Sequence, residues 1–168
     1  MSNTIEMRPI GFVRGGRAEP VDDAWDAVEA RIELDATQLG PDAAAGLDAF
    51  SHAEVIFHFD RASAADVNTG ARHPRGRQDW PLVGILAQRG KDRPNRIGVT
   101  VCRILSVDGL SLRVRGLDAV DGTPVLDIKP VMKGFLPRGD IRDRTGRASS
   151  CGITGDDYGG NQLGTEKC

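Results

Sequence analysis

Apolar and polar residues alternate along much of the chain up to about residue 130. The clearest runs are Ala27-Val28-Glu29-Ala30-Arg31-Ile32-Glu33-Leu34 and Leu110-Ser111-Leu112-Arg113-Val114-Arg115. A period of two turns one side chain toward an interior and the next toward water, which is the signature of a half-buried strand. Strands are likewise predicted over residues 9–14, 53–59, 83–88, 97–107 and 123–128. Val107-Asp108-Gly109-Leu110 predicts a tight hairpin, because Asp-Gly accepts the positive backbone angles of a sharp reversal. Helix-forming sequence is confined to residues 42–48, enough for one or two turns. Six or seven short strands separated by turn signals predict a mainly β fold, a single small closed or nearly closed β-barrel with short helical segments.

The alternation stops near Arg138. Residues 142–168 are rich in Gly and nearly free of aliphatic side chains, so they bury too little apolar area to offset ordering entropy and are expected to form a flexible tail. The expected organisation is a barrel domain over 7–141 followed by that tail. Gly159-Gly160-Asn161-Gln162-Leu163-Gly164 has no preceding strand pattern and no following helix, so it does not read as a phosphate loop.

At 168 residues the chain suits one sizeable core. No apolar run approaches the roughly 20 residues of a membrane span, and the first residues lack a basic-then-apolar leader, so a cytoplasmic address is expected. Cys102, Cys151 and Cys168 form no CxxC pair and are odd in number, against both a disulfide framework and a bound metal; Cys102 is expected to pack within a strand. Charge changes the picture more. Residues 1–60 carry 4 basic and 12 acidic side chains, a net −8, whereas residues 72–115 carry 10 basic and 3 acidic ones, a net +7. A basic middle third is what a polyanion partner requires.

The common dinucleotide, phosphate-loop, serine-hydrolase and zinc-protease motifs are absent. His52, His58 and His73 lack ligand spacing, and His52 and His58 are expected to be structural hydrogen-bonding residues. What remains are two segments in which turn formers and fixed charges adjoin an apolar strand. They are Gln88-Arg89-Gly90-Lys91-Asp92-Arg93-Pro94-Asn95-Arg96-Ile97-Gly98 and Gly116-Leu117-Asp118-Ala119-Val120-Asp121-Gly122-Thr123-Pro124-Val125-Leu126-Asp127-Ile128-Lys129-Pro130. Polar loops held at strand ends commonly carry binding and chemistry.

With Gly46-Leu47-Asp48-Ala49-Phe50-Ser51-His52 and Ile10-Gly11-Phe12-Val13-Arg14, these segments run in one collinear order that resembles the TsaA-like (TrmO) family of tRNA adenosine N6-methyltransferases. The resemblance implies a small non-Rossmann barrel, a homodimer, and S-adenosyl-L-methionine as cofactor, held on loops at one barrel end. Carried over by position, the implied cofactor contacts are Asp60, Arg61, Arg89, Val99, Arg115, Gly116, Leu117 and Asp118. A guanidinium at Arg89 suits the cofactor carboxylate as a bidentate pair, and Asp118 suits its ribose or ammonium. Asp121 is expected to serve the turn, and Trp25 to cap the barrel. Arg93 and Asn95 are expected to shape the loop beside the acceptor, and Arg72, Arg75 and Arg77, near Trp80, to contact RNA. No residue is marked as the catalytic proton acceptor.

The chain departs from the family pattern where Arg96 replaces a second proline, where Asp60 replaces a common histidine, and over residues 17–25, which stand in place of a Pro-Arg-Gln-like segment. The implied activity is N6-methylation of threonylcarbamoyl-adenosine beside the tRNA anticodon. Two alternatives stand beside it, a related methyltransferase with a small-molecule acceptor and a non-catalytic RNA-binding barrel.

Overall fold

The computed structural model of the protein describes residues 3–20 and 24–142. The expectations for residues 143–168, Cys151 and Cys168 among them, and for Asp22 and Asp23 lie outside the described residues. The strands are β1 (Gly11–Arg14), β2 (Glu29–Leu34), β3 (His52–His58), β4 (Ala71–Arg72), β5 (Val83–Gly84), β6 (Ile97–Asp108), β7 (Ser111–Arg115) and β8 (Pro124–Pro130). Six of them close a barrel in the order β1-β2-β7-β6-β3-β8, and β4 and β5 pair separately. Every barrel pair is antiparallel. The expected mainly β, closed-barrel fold is therefore observed.

The period of two explains the closure. In β2 and β7, Ala30, Ile32, Leu112 and Val114 point inward while Glu29, Arg31, Glu33, Arg113 and Arg115 face outward. The register sets Ile32 opposite Leu112 and Ala30 opposite Val114. Val13, Val55, Phe57, Cys102, Leu117 and Val125 complete the core. Each large aliphatic or aromatic side chain so buried contributes about 1.5–3 kcal/mol. Cys102 packs within β6 as expected, and burial pushes its thiol up to about 12. Asp108-Gly109 forms the β6–β7 hairpin, with Gly109 at φ +53°.

One local expectation is corrected, and the expected short helical segment is of the 3-10 kind and shifted toward its C-terminal end. Residues 83–88 form a strand only over Val83–Gly84 and then a 3-10 turn, Ile85–Ala87. Among the described residues β5 pairs only with the two-residue β4, and the Gln88 side chain donates to the Val83 carbonyl at 2.7 Å, which folds the segment back on itself. Residues 42–48 form no α-helix; a 3-10 turn spans Leu47–Ala49. Gly46 at φ +82° interrupts the segment, and its backbone bonds, such as Ala45 N–H to Asp42 O, are three residues apart.

Because neighbouring strands alternate in direction, one barrel end gathers the last residues of β1, β3 and β7 with the first residues of β2, β6 and β8. Its connections are segments 15–28, 59–96 and 116–123. Segment 35–51 and the 109–110 hairpin lie at the opposite end.

Candidate functional site

All eight residues expected to contact a cofactor belong to the first of these ends. Asp60 and Arg61 follow β3, Arg89 lies in the long 59–96 excursion, Val99 is near the start of β6, and Arg115–Asp118 leave β7. Topology thus joins residues separated by more than fifty positions in sequence.

Arg61 is the tie between the three connections. Its guanidinium donates to the Ala18 carbonyl at 2.7 Å and to the Asp121 carbonyl at 2.7 Å, so the β1–β2, β3–β6 and β7–β8 segments meet on one side chain. Asp121 completes the arrangement. Its carboxylate accepts from the Gly15 N–H at 2.8 Å, and its own N–H donates to Arg17 O. The structural role expected for Asp121 is observed, across two loops rather than within one turn. Trp25 is buried beneath the Arg17 guanidinium, 4.7 Å from the ring centre, in keeping with a capping role.

The other side chains fall into distinct environments. Arg89 is exposed and donates to Val99 O at 2.7 Å, linking two of the expected contacts. Asp60 is exposed and Asp118 half-buried. Gly116, at φ +86°, turns the chain out of β7, a conformation that glycine adopts without strain. Leu117 has no accessible surface and belongs to the core, so its part is to anchor the turn between Gly116 and Asp118. Arg115 bonds Glu29 at 2.6 Å, and hydrogen bonds from Arg115 and Arg113 hold the Glu29 carboxyl below its ordinary value.

The basic loop is organised around one acid whose role charge counting does not show. Asp92 is 8% exposed and pairs with Arg72 at 2.6 Å and Lys91 at 2.7 Å. Desolvation pushes its carboxyl up, and the bonds from Lys91 and Arg72 outweigh that, holding it below the ordinary value. Arg93 donates to the carbonyls of Ile85 and Gln88, and Arg96 to Ala62 O at 2.6 Å. Of the five residues expected near RNA, Arg72 and Arg93 are half-buried and committed to this scaffold. Arg75, Arg77 and Asn95 are exposed, with Arg77 paired to Asp79 at 2.8 Å and stacked 5.0 Å from the Trp80 ring centre. Arg96 sits at φ +50°, which proline cannot adopt, so the arginine at this departure matches its backbone.

A cavity of about 480 Å³ opens at the opposite end of the barrel, lined by Ile10, Leu34, Leu39, Leu47, Phe50 and Ile128 among others. No charged side chain lines it, so it lacks partners for the carboxylate and ammonium of an amino-acid-bearing cofactor. No group of His, Cys, Asp and Glu able to hold a metal occurs among the described residues, and none of their helices is long and apolar enough to cross a membrane.

Comparison with known proteins bears on the same residues. The chain is 34% identical over 139 residues to a probable S-adenosyl-L-methionine-binding protein of Pyrococcus abyssi, covering 81% of this chain and 71% of that one. It is 35% identical over 90 residues to the human tRNA (adenine(37)-N6)-methyltransferase, covering 54% of this chain and 20% of that protein. Among solved structures, TrmO from Pseudomonas aeruginosa superposes with a TM-score of 0.67 at 29% identity, over 89% of this chain and 64% of that chain. The present chain therefore spans less than two thirds of that structure and a fifth of the human enzyme. The sequence profile of the tRNA-methyltransferase O N-terminal domain matches residues 19–135. A closed six-stranded barrel, its loop end and this profile together place the chain in the TrmO family.

Proposed function

We propose that this chain is an S-adenosylmethionine-dependent methyltransferase acting on tRNA at N6 of the adenosine beside the anticodon, with the threonylcarbamoyl-modified base as acceptor. The observation that carries the reading is the convergence of Asp60, Arg89, Val99 and Arg115–Asp118 on one end of the barrel in a member of this family. The human relative, named for N6 of adenine 37 of tRNA, supports the position methylated.

The donor set fits the cofactor. Arg89 offers a guanidinium to a carboxylate, Asp60 and Asp118 offer carboxylates to an ammonium or a ribose, and Gly116 lets a ligand approach the backbone. When bound, S-adenosylmethionine supplies a methyl group on a cationic sulfonium. The chain's contribution is alignment, since an in-line displacement gains most from holding donor and acceptor in register. Arg61 and Asp121 fix the three loops relative to one another, and the Asp92 cluster fixes the excursion bearing Arg89 and Asn95. The functional unit is assigned to residues 7–141, in the cytoplasm. The homodimer implied by the family is part of the same reading; exposed Met132, Phe135 and Leu136 after β8 offer it an apolar surface.

Calorimetric titration with S-adenosylmethionine and S-adenosylhomocysteine tests the proposal. Micromolar binding, about −8 kcal/mol, is expected for wild type and weaker binding for Asp118→Ala. Methyl transfer is then expected to tRNA carrying the threonylcarbamoyl group and not to tRNA lacking it. Absence of cofactor binding overturns the enzymatic reading.

A further inference from the structure

The outward face of β1, β2, β7 and β6 carries an arginine grid of which the loop-end site uses only Arg115. The register sets Arg14 opposite Arg31, Arg31 opposite Arg113, and Arg115 opposite Arg103. Strands lie about 4.8 Å apart, so these guanidiniums stand on adjacent rungs. Like charges directly opposite one another destabilise a sheet. Two carboxylates offset them incompletely: Glu33 lies 3.3 Å from Arg14 and 3.7 Å from Arg31, and Glu29 bonds both Arg113 and Arg115. Each acid is thus shared between two arginines. Arg103 has no ion pair among the described residues, and with Asp108 on the outward row of Glu33 and Ser111 the face keeps five arginines against three acids, an excess of two positive charges.

The paired side chains remain about half exposed, between 39% and 57%, so the guanidiniums are open to a further anion. Phe12 borders the grid on β1, 38% exposed, with the Arg14 guanidinium 5.5 Å from its ring centre. An aromatic beside a row of arginines on a sheet suits nucleic acid, whose phosphates neutralise the charge and whose bases stack. The grid reaches the loop end through Arg115, the first residue of the run leaving β7. An RNA lying on this face therefore passes directly to the candidate site.

We infer that the outer face of β1-β2-β7-β6 docks the phosphate backbone of the tRNA, with Arg31, Arg103 and Arg113 as phosphate contacts. The inference rests on the proposed tRNA substrate and adds a surface separate from the basic 72–96 loop.

The test compares tRNA binding over a salt series for wild type, the triple variant Arg31→Gln, Arg103→Gln, Arg113→Gln, and Glu33→Gln. Loss of three phosphate contacts is expected to weaken binding by at least about tenfold and to make the slope of log affinity against log salt shallower by about 2 to 3. Glu33→Gln, which releases Arg14 and Arg31, is expected to tighten binding. S-adenosylmethionine affinity is expected to be unchanged in both variants, which separates a docking defect from misfolding. Equal tRNA affinity and slope in wild type and triple variant overturn this surface and leave the substrate proposal standing. Absence of tRNA binding by the wild type overturns both. A change of oligomeric state in the triple variant, with tRNA binding retained, assigns the face to a second copy of the chain and overturns the inference.

Discussion

Gly98 lies on β6 opposite Phe57, and a Cβ added there would fall 2.4 Å from two carbons of the Phe57 ring. The barrel thus accommodates its largest fully buried side chain only because the facing position has none. Gly98→Ala is expected to destabilise the protein by about 1–3 kcal/mol through overpacking. Urea denaturation measures this, and a variant as stable as wild type would show that the ring has room to move. At the same scale Arg61 and Arg89 look alike in sequence but differ in commitment. Both are exposed, but Arg61 satisfies two carbonyls on two loops, whereas Arg89 satisfies one.

Among the elements, the 59–96 excursion has the weakest regular structure and the strongest polar one. Its two strands are two residues each, while Asp92 joins Arg72, Lys91 and, through Arg72, Gln88. Asp92→Asn leaves Arg72 half-buried without its counter-charge and is expected to cost about 1–3 kcal/mol at neutral pH. The pH dependence has a definite sign. A carboxyl lowered in the folded state stabilises above its unfolded value near 3.8 and loses that contribution as pH falls through the folded value. Acid loosening of this excursion in wild type is therefore expected below about pH 4 and should be missing from Asp92→Asn, as followed by Trp80 fluorescence. A variant with unchanged neutral stability would remove Asp92 from the centre of the scaffold.

Across the whole molecule, the barrel closes where β1 meets β8, in a register of two facing pairs, Gly11 with Val125 and Phe12 with Pro124. Pro124 has no N–H to donate at this seam. β3, by contrast, pairs along its length with β6 and over much of it with β8. Local opening takes its lowest free energies where paired backbone is shortest. Native-state hydrogen exchange is therefore expected to show β1 amides exchanging well before those of β3. Equal protection would mean that the flanking bonds, Ile10 N–H to Val125 O and Val13 N–H to Thr123 O, close the seam as firmly as a long strand pair.

Strand content was legible in the sequence because alternation reflects burial on one side, which local order encodes directly. Residues 27–34 and 110–115 became β2 and β7 with the inward and outward sides as patterned, and Asp108-Gly109 turned as its residue types dictate. The collinear motifs also identified the family, and hence the eight candidate positions. Tertiary structure decided the rest. No local signal assigns Asp121 to Gly15, Arg61 to Ala18, or Arg72 to Asp92, because those partners lie between 20 and 106 residues apart. The net +7 of residues 72–115 similarly conceals two fates, a loop whose Arg72 is neutralised by Asp92 and a sheet face where arginines face arginines. Periodicity fixes which way a side chain points; the register of a closed barrel fixes what it meets.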